Sequence, residues 1–67
     1  LEPEDASHKL CELLSDESVQ VRKNASLALM KMEAEEAIGP LKNAEAIEKD
    51  DQVKSVMNVA IKVLVQD

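Results

Sequence analysis

The chain has no phenylalanine, tyrosine or tryptophan. Any core must therefore be built from Leu, Ile, Val, Ala and Met. Its one cysteine cannot close an internal disulfide, which fits a reducing compartment. No apolar run approaches the roughly 20 residues that span a bilayer. The first ten residues are mostly polar, so no signal peptide is visible. Positive charge is scarce as well. Eight basic against fourteen acidic residues give a net charge of −6. A phosphate backbone is repelled by that balance, which disfavours nucleic acid as a partner. The only adjacent basic pair is Arg22-Lys23, and with Lys31 it reads as ordinary surface charge. Low-complexity segments are absent too.

What is present is apolar and periodic. A hydrophobic fraction of 45% suffices for a globular core, and 67 residues make at most one domain. A chain this small buries only about 60% of its extended surface. It gains stability from further chain or a partner. The chain opens at Leu1 rather than methionine, which reads as a fragment of a longer repeat array or a processed product.

The central stretch is Asp16 to Met32. Val21, Ala25, Ala28, Leu29 and Met32 follow one helical face, while Val19, Leu27 and Met30 lie off it. A helix apolar over so wide an arc wants neighbours on several sides. Four helices are predicted, near 3–14, 17–33, 35–48 and 51–65. Pro3 suits the first turn of helix 1, with Glu4 and Asp5 at the positive end of its dipole. Ala6, Leu10, Leu13 and Leu14 share its face. Asp16 is the N-cap candidate of helix 2, and Asp50 that of helix 4. Gly39-Pro40 argues for a break after Met32, since proline is tolerated near a helix start and costly deep inside one. The alternative is one long helix kinked at Pro40. Helix 3 is expected to turn Ala37, Ile38, Leu41, Ala44 and Ile47 inward. Helix 4 presents Val53, Val56, Met57, Ala60, Ile61 and Leu64, with Val59, Val63 and Val65 outside that stripe.

The two halves repeat. Ala6 and Leu10 match Ala37 and Leu41 at an offset of 31. Val21-Arg22-x-x-Ala25-x-x-Ala28-Leu29 matches Val53-Lys54-x-x-Met57-x-x-Ala60-Ile61 at an offset of 32. Such a period, two helices each, marks a helical solenoid, in which one helix pair cannot bury its apolar face alone.

Leu13-Leu14-Ser15-Asp16, the Val21-to-Leu29 pattern and Glu36-Ala37-Ile38-x-Pro40-Leu41 resemble a HEAT repeat. The short period and the A-I-x-P-L segment are most similar to the HEAT-like repeats of phycobilisome lyase type. Armadillo repeats share much of the pattern but carry an extra helix. The resemblance covers nearly all of residues 5 to 66. It implies an all-α chain folded as a right-handed α-α superhelix of about two helix pairs, a single HEAT-like domain over residues 1–67. It implies that helix 2 lies on the convex side and helix 3 on the concave side. It also implies a polar link between repeats from Asp16 and Arg22, repeated by Glu48, or the nearby Asp50, with Lys54. Lysine cannot reproduce the planar fork of arginine, so the second copy departs from the family.

No chemical constellation stands out. His8, Cys11, Glu12 and Asp5 share one helix, but four ligands in closed geometry are wanted for a structural metal site, and no metal is expected here. Deoxyhypusine hydroxylase, a HEAT-like enzyme, holds iron with His-Glu pairs; this chain has His8-Lys9. Cys11 lacks a separate base and reads as a packed thiol. Glu48, Asp50 and Asp51 lack the glycine and alternating oxygens of a calcium loop. Met30, Met32 and Met57 read as core filling. No cofactor and no catalytic residue is expected. The resulting expectation is a non-enzymatic, cytoplasmic scaffold that binds a protein through Lys9, Glu12, Lys42, Glu45 and Lys49 on the concave helices. The alternatives are a homodimer through helix 4, and a subunit of an enzyme such as a bilin lyase.

Overall fold

The computed structural model describes residues 3–66, with side chains from residue 5. Its elements are α1 (Pro3–Leu13), α2 (Val19–Lys31), a 3₁₀ turn (Glu35–Ala37), α3 (Ile38–Ile47) and α4 (Asp51–Val65). The chain is all-α, with no strand among the described residues. It forms two helix hairpins. α1 packs on α2, α3 packs on α4, and the pairs meet mainly through α2 and α4, with the 3₁₀ turn against α1.

The breaks follow local chemistry. α2 is capped by Ser18, whose Oγ accepts the Val21 N–H at 3.3 Å. Asp16, the predicted cap, sits two residues too early. Its carboxylate instead accepts the Ser18 N–H at 2.9 Å and shapes the turn. Helix 2 accordingly starts at Val19 rather than 17. At the start of α4, Asp50 is the cap, accepting the Val53 N–H at 3.0 Å.

The chain does turn back after α2, so it is not one kinked helix. Glu33 takes φ 55°, the left-handed conformation. The Ala34 N–H donates to the Leu29 carbonyl and the Glu33 N–H to the Met30 carbonyl. These are the paired bonds of a Schellman ending, and they close α2 at Lys31 instead of 33. Pro40 lies in the first turn of α3, where it has no N–H to offer the Glu36 carbonyl; the tighter 3₁₀ turn precedes it.

The core is Leu14, Ala25, Leu29, Ala34, Ala37, Leu41, Val53, Met57, Ala60, Ile61 and Leu64, with Leu10, Cys11, Met30, Ile38 and Ala44 packed around it. Leu29, Leu41, Val53 and Met57 are wholly buried. Each such side chain contributes about 1.5–3 kcal/mol by leaving water. Two serines join them. Ser26 donates its hydroxyl to the Arg22 carbonyl at 2.9 Å, so its burial leaves no polar group unsatisfied.

Three expected core positions lie outside. Ile47 is 74% exposed, because α3 ends there and Glu48 takes an extended backbone. Leu13 and Met32 are exposed for a related reason: each stands at or just past a helix end. Val59, Val63 and Val65 stay open on α4.

Candidate functional site

Two places bring chemistry together. The first is the corner where the hairpins meet. Arg22 projects from the first turns of α2 and donates from Nε to Glu48 Oε1 at 2.8 Å and from Nη2 to Glu48 Oε2 at 3.0 Å. Its Nη1 donates to the carbonyls of Asp16 (2.8 Å) and Glu17 (3.1 Å). Glu48 Oε2 also accepts the Asp50 N–H at 3.0 Å. The Glu48 side chain is 3% exposed and that of Arg22 17%. The Arg22 hydrogen bond holds the Glu48 carboxyl below the ordinary carboxylate value, against the opposing push of burial. Charge-assisted two-pronged pairs of this kind are the stronger class of polar contact.

The four residues named for an inter-repeat link thus have different fates. Arg22 meets Glu48, across the two pairs. Asp16 contributes its backbone carbonyl to Arg22 and its carboxylate to the turn. Lys54 lies elsewhere, in a crevice with Glu45, Asp51 and Asn58.

The second place is an open cleft of about 650 Å³ between α1 and the start of α3, lined by Ser7, His8, Cys11, Glu12, Glu36 and Pro40. Ser7 is buried and donates to Glu36 Oε2 at 2.6 Å. That bond, and one from the Glu36 backbone, keep the Glu36 carboxyl below its ordinary value. Burial pushes the Cys11 thiol up, and the Glu36 charge adds to it. The thiol is therefore protonated at neutral pH and a poor nucleophile. His8 Nε2 lies 3.5 Å from Glu12 Oε1, both well exposed. Among the described residues no three of His, Cys, Asp and Glu are grouped to hold a metal ion.

Of the five residues expected on a protein-binding face, three line separate hollows and two stand exposed on α1 and α3. Glu12 lines the cleft. Lys49 borders the Arg22–Glu48 corner. Glu45, half-buried rather than exposed, sits in the crevice with Lys54. Lys9 and Lys42 are exposed on α1 and α3. Ser7 is not marked out by the sequence, and Glu36 enters there only as part of the repeat motif. The available signal was a serine on the apolar face of helix 1, one turn before Leu10 and two before Leu14.

No family model matches this chain, and no solved structure matches it. A curated protein does. The chain is 53% identical over 60 residues, 90% of its length, to the bilin biosynthesis protein MpeU of Synechococcus sp. (strain WH8020). The chain is related to a bilin biosynthesis protein. It spans 20% of that relative's length. The match overturns the expectation of a non-enzymatic chain, because the relative carries a biosynthetic name. The physical reason for the error is plain. Repeat spacing reports apolar packing, and a fifth of a protein need not hold the groups that react. Among the described residues, no helix is long and apolar enough to cross a membrane.

Proposed function

We propose that this chain is a helical-repeat part of a bilin lyase, HEAT-like in build, which brings a bilin and its acceptor phycobiliprotein together. The observation that carries the reading is the 53% identity over 60 residues to a bilin biosynthesis protein. The matched stretch takes in nearly all of the repeat pattern. Residues 1–67 form one repeat domain in this reading, with the curvature of a right-handed superhelix and a cytoplasmic setting.

The α1–α3 cleft supports a role in holding the bilin. Its volume of about 650 Å³ falls within the roughly 300–1,000 Å³ of small-molecule sites. Glu36, held by Ser7, supplies a carboxylate that can accept pyrrole N–H groups. Lys9, Glu12, Lys42, Glu45 and Lys49 are assigned to contacts with the acceptor protein. Their mixed signs suit a polar rim, which sets register more than affinity.

The test is direct binding of the intact chain to two probes: biliverdin, followed by its visible absorbance and induced circular dichroism, and an apo-phycobiliprotein subunit, followed by sedimentation. Binding of both is expected, with Glu36→Ala weakening the first at least about fivefold, equivalent to roughly 1 kcal/mol. If neither probe binds, the reading fails.

A further inference from the structure

Charge is unevenly divided among the helices. α2 and α4 hold five of the eight basic residues, Arg22, Lys23, Lys31, Lys54 and Lys62, and only Asp51 of the fourteen acidic ones. The other thirteen acids lie in α1, α3, the connections and the chain ends. α2 and α4 also pack on each other more extensively than any other two helices. In a chain of net charge −6 they make a basic layer.

That layer carries an apolar groove. A hollow of about 180 Å³ opens where α2 meets α4, lined by Leu27 of α2 and by Ser55, Val56 and Val59 of α4. Val59 is 51% exposed, and Val63, one turn on, is exposed too. Val56, Val59 and Val63 recur at spacings of three and four, so they form one stripe along α4. Valine is a weaker helix former than alanine, lysine or glutamate, so an exposed valine on a helix serves neither propensity nor burial.

The cations border this stripe. Lys23 and Lys31 stand one turn to either side of Leu27, and Lys62 follows Val59 by three residues. Lys54 lines the next crevice together with Val59. None of these four lysines is held in an ion pair or a side-chain hydrogen bond among the described residues. The acids near the stripe stand at its margins, Glu45 and Asp51 in the Lys54 crevice and Glu33 and Glu35 beside Val63.

We propose that the α2–α4 groove is the docking site of an acidic amphipathic helix from a partner protein. Charge and shape fix the occupant. The lysines call for carboxylates, and the hollow between Leu27 and Val59 for an aliphatic side chain. No strand edge is offered among the described residues, so the partner enters as a helix laid between helices rather than as an added strand. The fifteen residues of α4 give room for about four turns of such a helix. A flat lipid surface would meet Glu33, Glu35 and Asp51 along with the lysines, whereas a helix places its carboxylates selectively. The α1–α3 cleft is lined by α1, the 3₁₀ turn and α3, and the groove by α2 and α4. The two share no helix, and the inference is independent of the bilin reading.

The experiment uses the 67-residue chain and a fluorescent helical peptide of about 15 residues, with leucines at i, i+3 and i+7 in an alanine and glutamate background. A twin carries lysine for each glutamate. In fluorescence anisotropy the acidic peptide is expected to bind at least about tenfold tighter than the twin, with the difference shrinking as salt rises. Val59→Glu should weaken its binding at least about tenfold, and Lys31→Glu combined with Lys62→Glu should reverse the preference. Val59→Ser should act in the same direction as Val59→Glu through a change too mild to unfold the chain. Glu36→Ala, in the cleft, should leave binding unchanged. Absence of acidic-peptide binding up to about 1 mM, equal binding of the two peptides, or indifference to both Val59 variants overturns the proposal. So does binding of phosphatidylserine vesicles in preference to the peptide, which assigns the groove to a lipid surface. Concentration-dependent sedimentation abolished by Val59→Glu assigns it to a second copy and overturns the proposal too.

Discussion

Arg22 grips Glu48 through two parallel N–H···O bonds of 2.8 and 3.0 Å, and this pair ties the N-terminal hairpin to the C-terminal one. The contact is specific to a planar guanidinium. A lysine at position 22 would keep the charge but lose the fork and the simultaneous reach to the Asp16 and Glu17 carbonyls. Arg22→Lys is expected to lower the thermal midpoint by about 5 °C, while Lys54→Arg, in a crevice that Glu48 does not line, leaves it nearly unchanged. Circular dichroism melts of the two variants check this.

Acid should loosen the same joint. The folded chain holds Glu48 below its ordinary value of 4.5, chiefly through Arg22. In the unfolded chain the carboxyl returns to that value. Its contribution is therefore present above about pH 4.5 and is lost as pH falls through the lower, folded-state pKa. Glu36, lowered by Ser7, adds in the same direction. Denaturation midpoints measured from pH 7 to pH 2 should fall steeply below about pH 4.5. Glu48→Gln should be less stable at pH 7 and show a shallower acid limb.

Glu33 is the one residue other than glycine with positive φ among those described. A side chain in the left-handed region costs about 1 kcal/mol, and glycine avoids that cost. Glu33→Gly is expected to stabilise the chain by about that amount, read from urea titration. A loss of stability would show that the exposed carboxylate contributes something the backbone does not.

Leu29 lies at the centre of the core with no exposed surface. Leu29→Ala should cost about 2–5 kcal/mol. In so small a chain that is enough to leave much of the population unfolded at room temperature. Loss of amide dispersion in a two-dimensional NMR spectrum is the readout. Ile47→Ala, at 74% exposure, should change little.

Cys11 should react slowly. Burial first, then the Glu36 charge, raise its thiol above the ordinary 9.0. Alkylation by iodoacetamide at pH 7.5 is expected to be slower than for a free thiol. Glu36→Gln should speed it by less than about tenfold, because burial is the larger cause.

The fold was readable where one residue type has one meaning. Asp50 capped α4 as its position suggested, and the stripe from Val53 to Leu64 folded inward save for the half-buried Val56. Reading failed where two residues compete for a role or where a signal is replaced. Asp16 and Ser18 both suit a cap, and only the backbone decides that Ser18 takes it while Asp16 closes the turn before it. The stop after α2 was hard to see because Glu33 stands where glycine would announce it. Ile47 is apolar and in phase, yet its helix ends beneath it. The site was harder still. Ser7 meets Glu36 across 29 positions of sequence, and nothing local foretells a long-range pair. Arg22 was singled out with Asp16, but its charged partner proved to be Glu48.

Ser26 is fully buried on α2, the helix that packs most extensively on α4, its hydroxyl turned back onto its own helix. A side chain this short sets how near the two backbones can come. Any bulkier residue there would act as a wedge, tilting one hairpin relative to the other and changing the width of the α1–α3 cleft. The gauge of that opening would then answer to a residue that is no part of its lining.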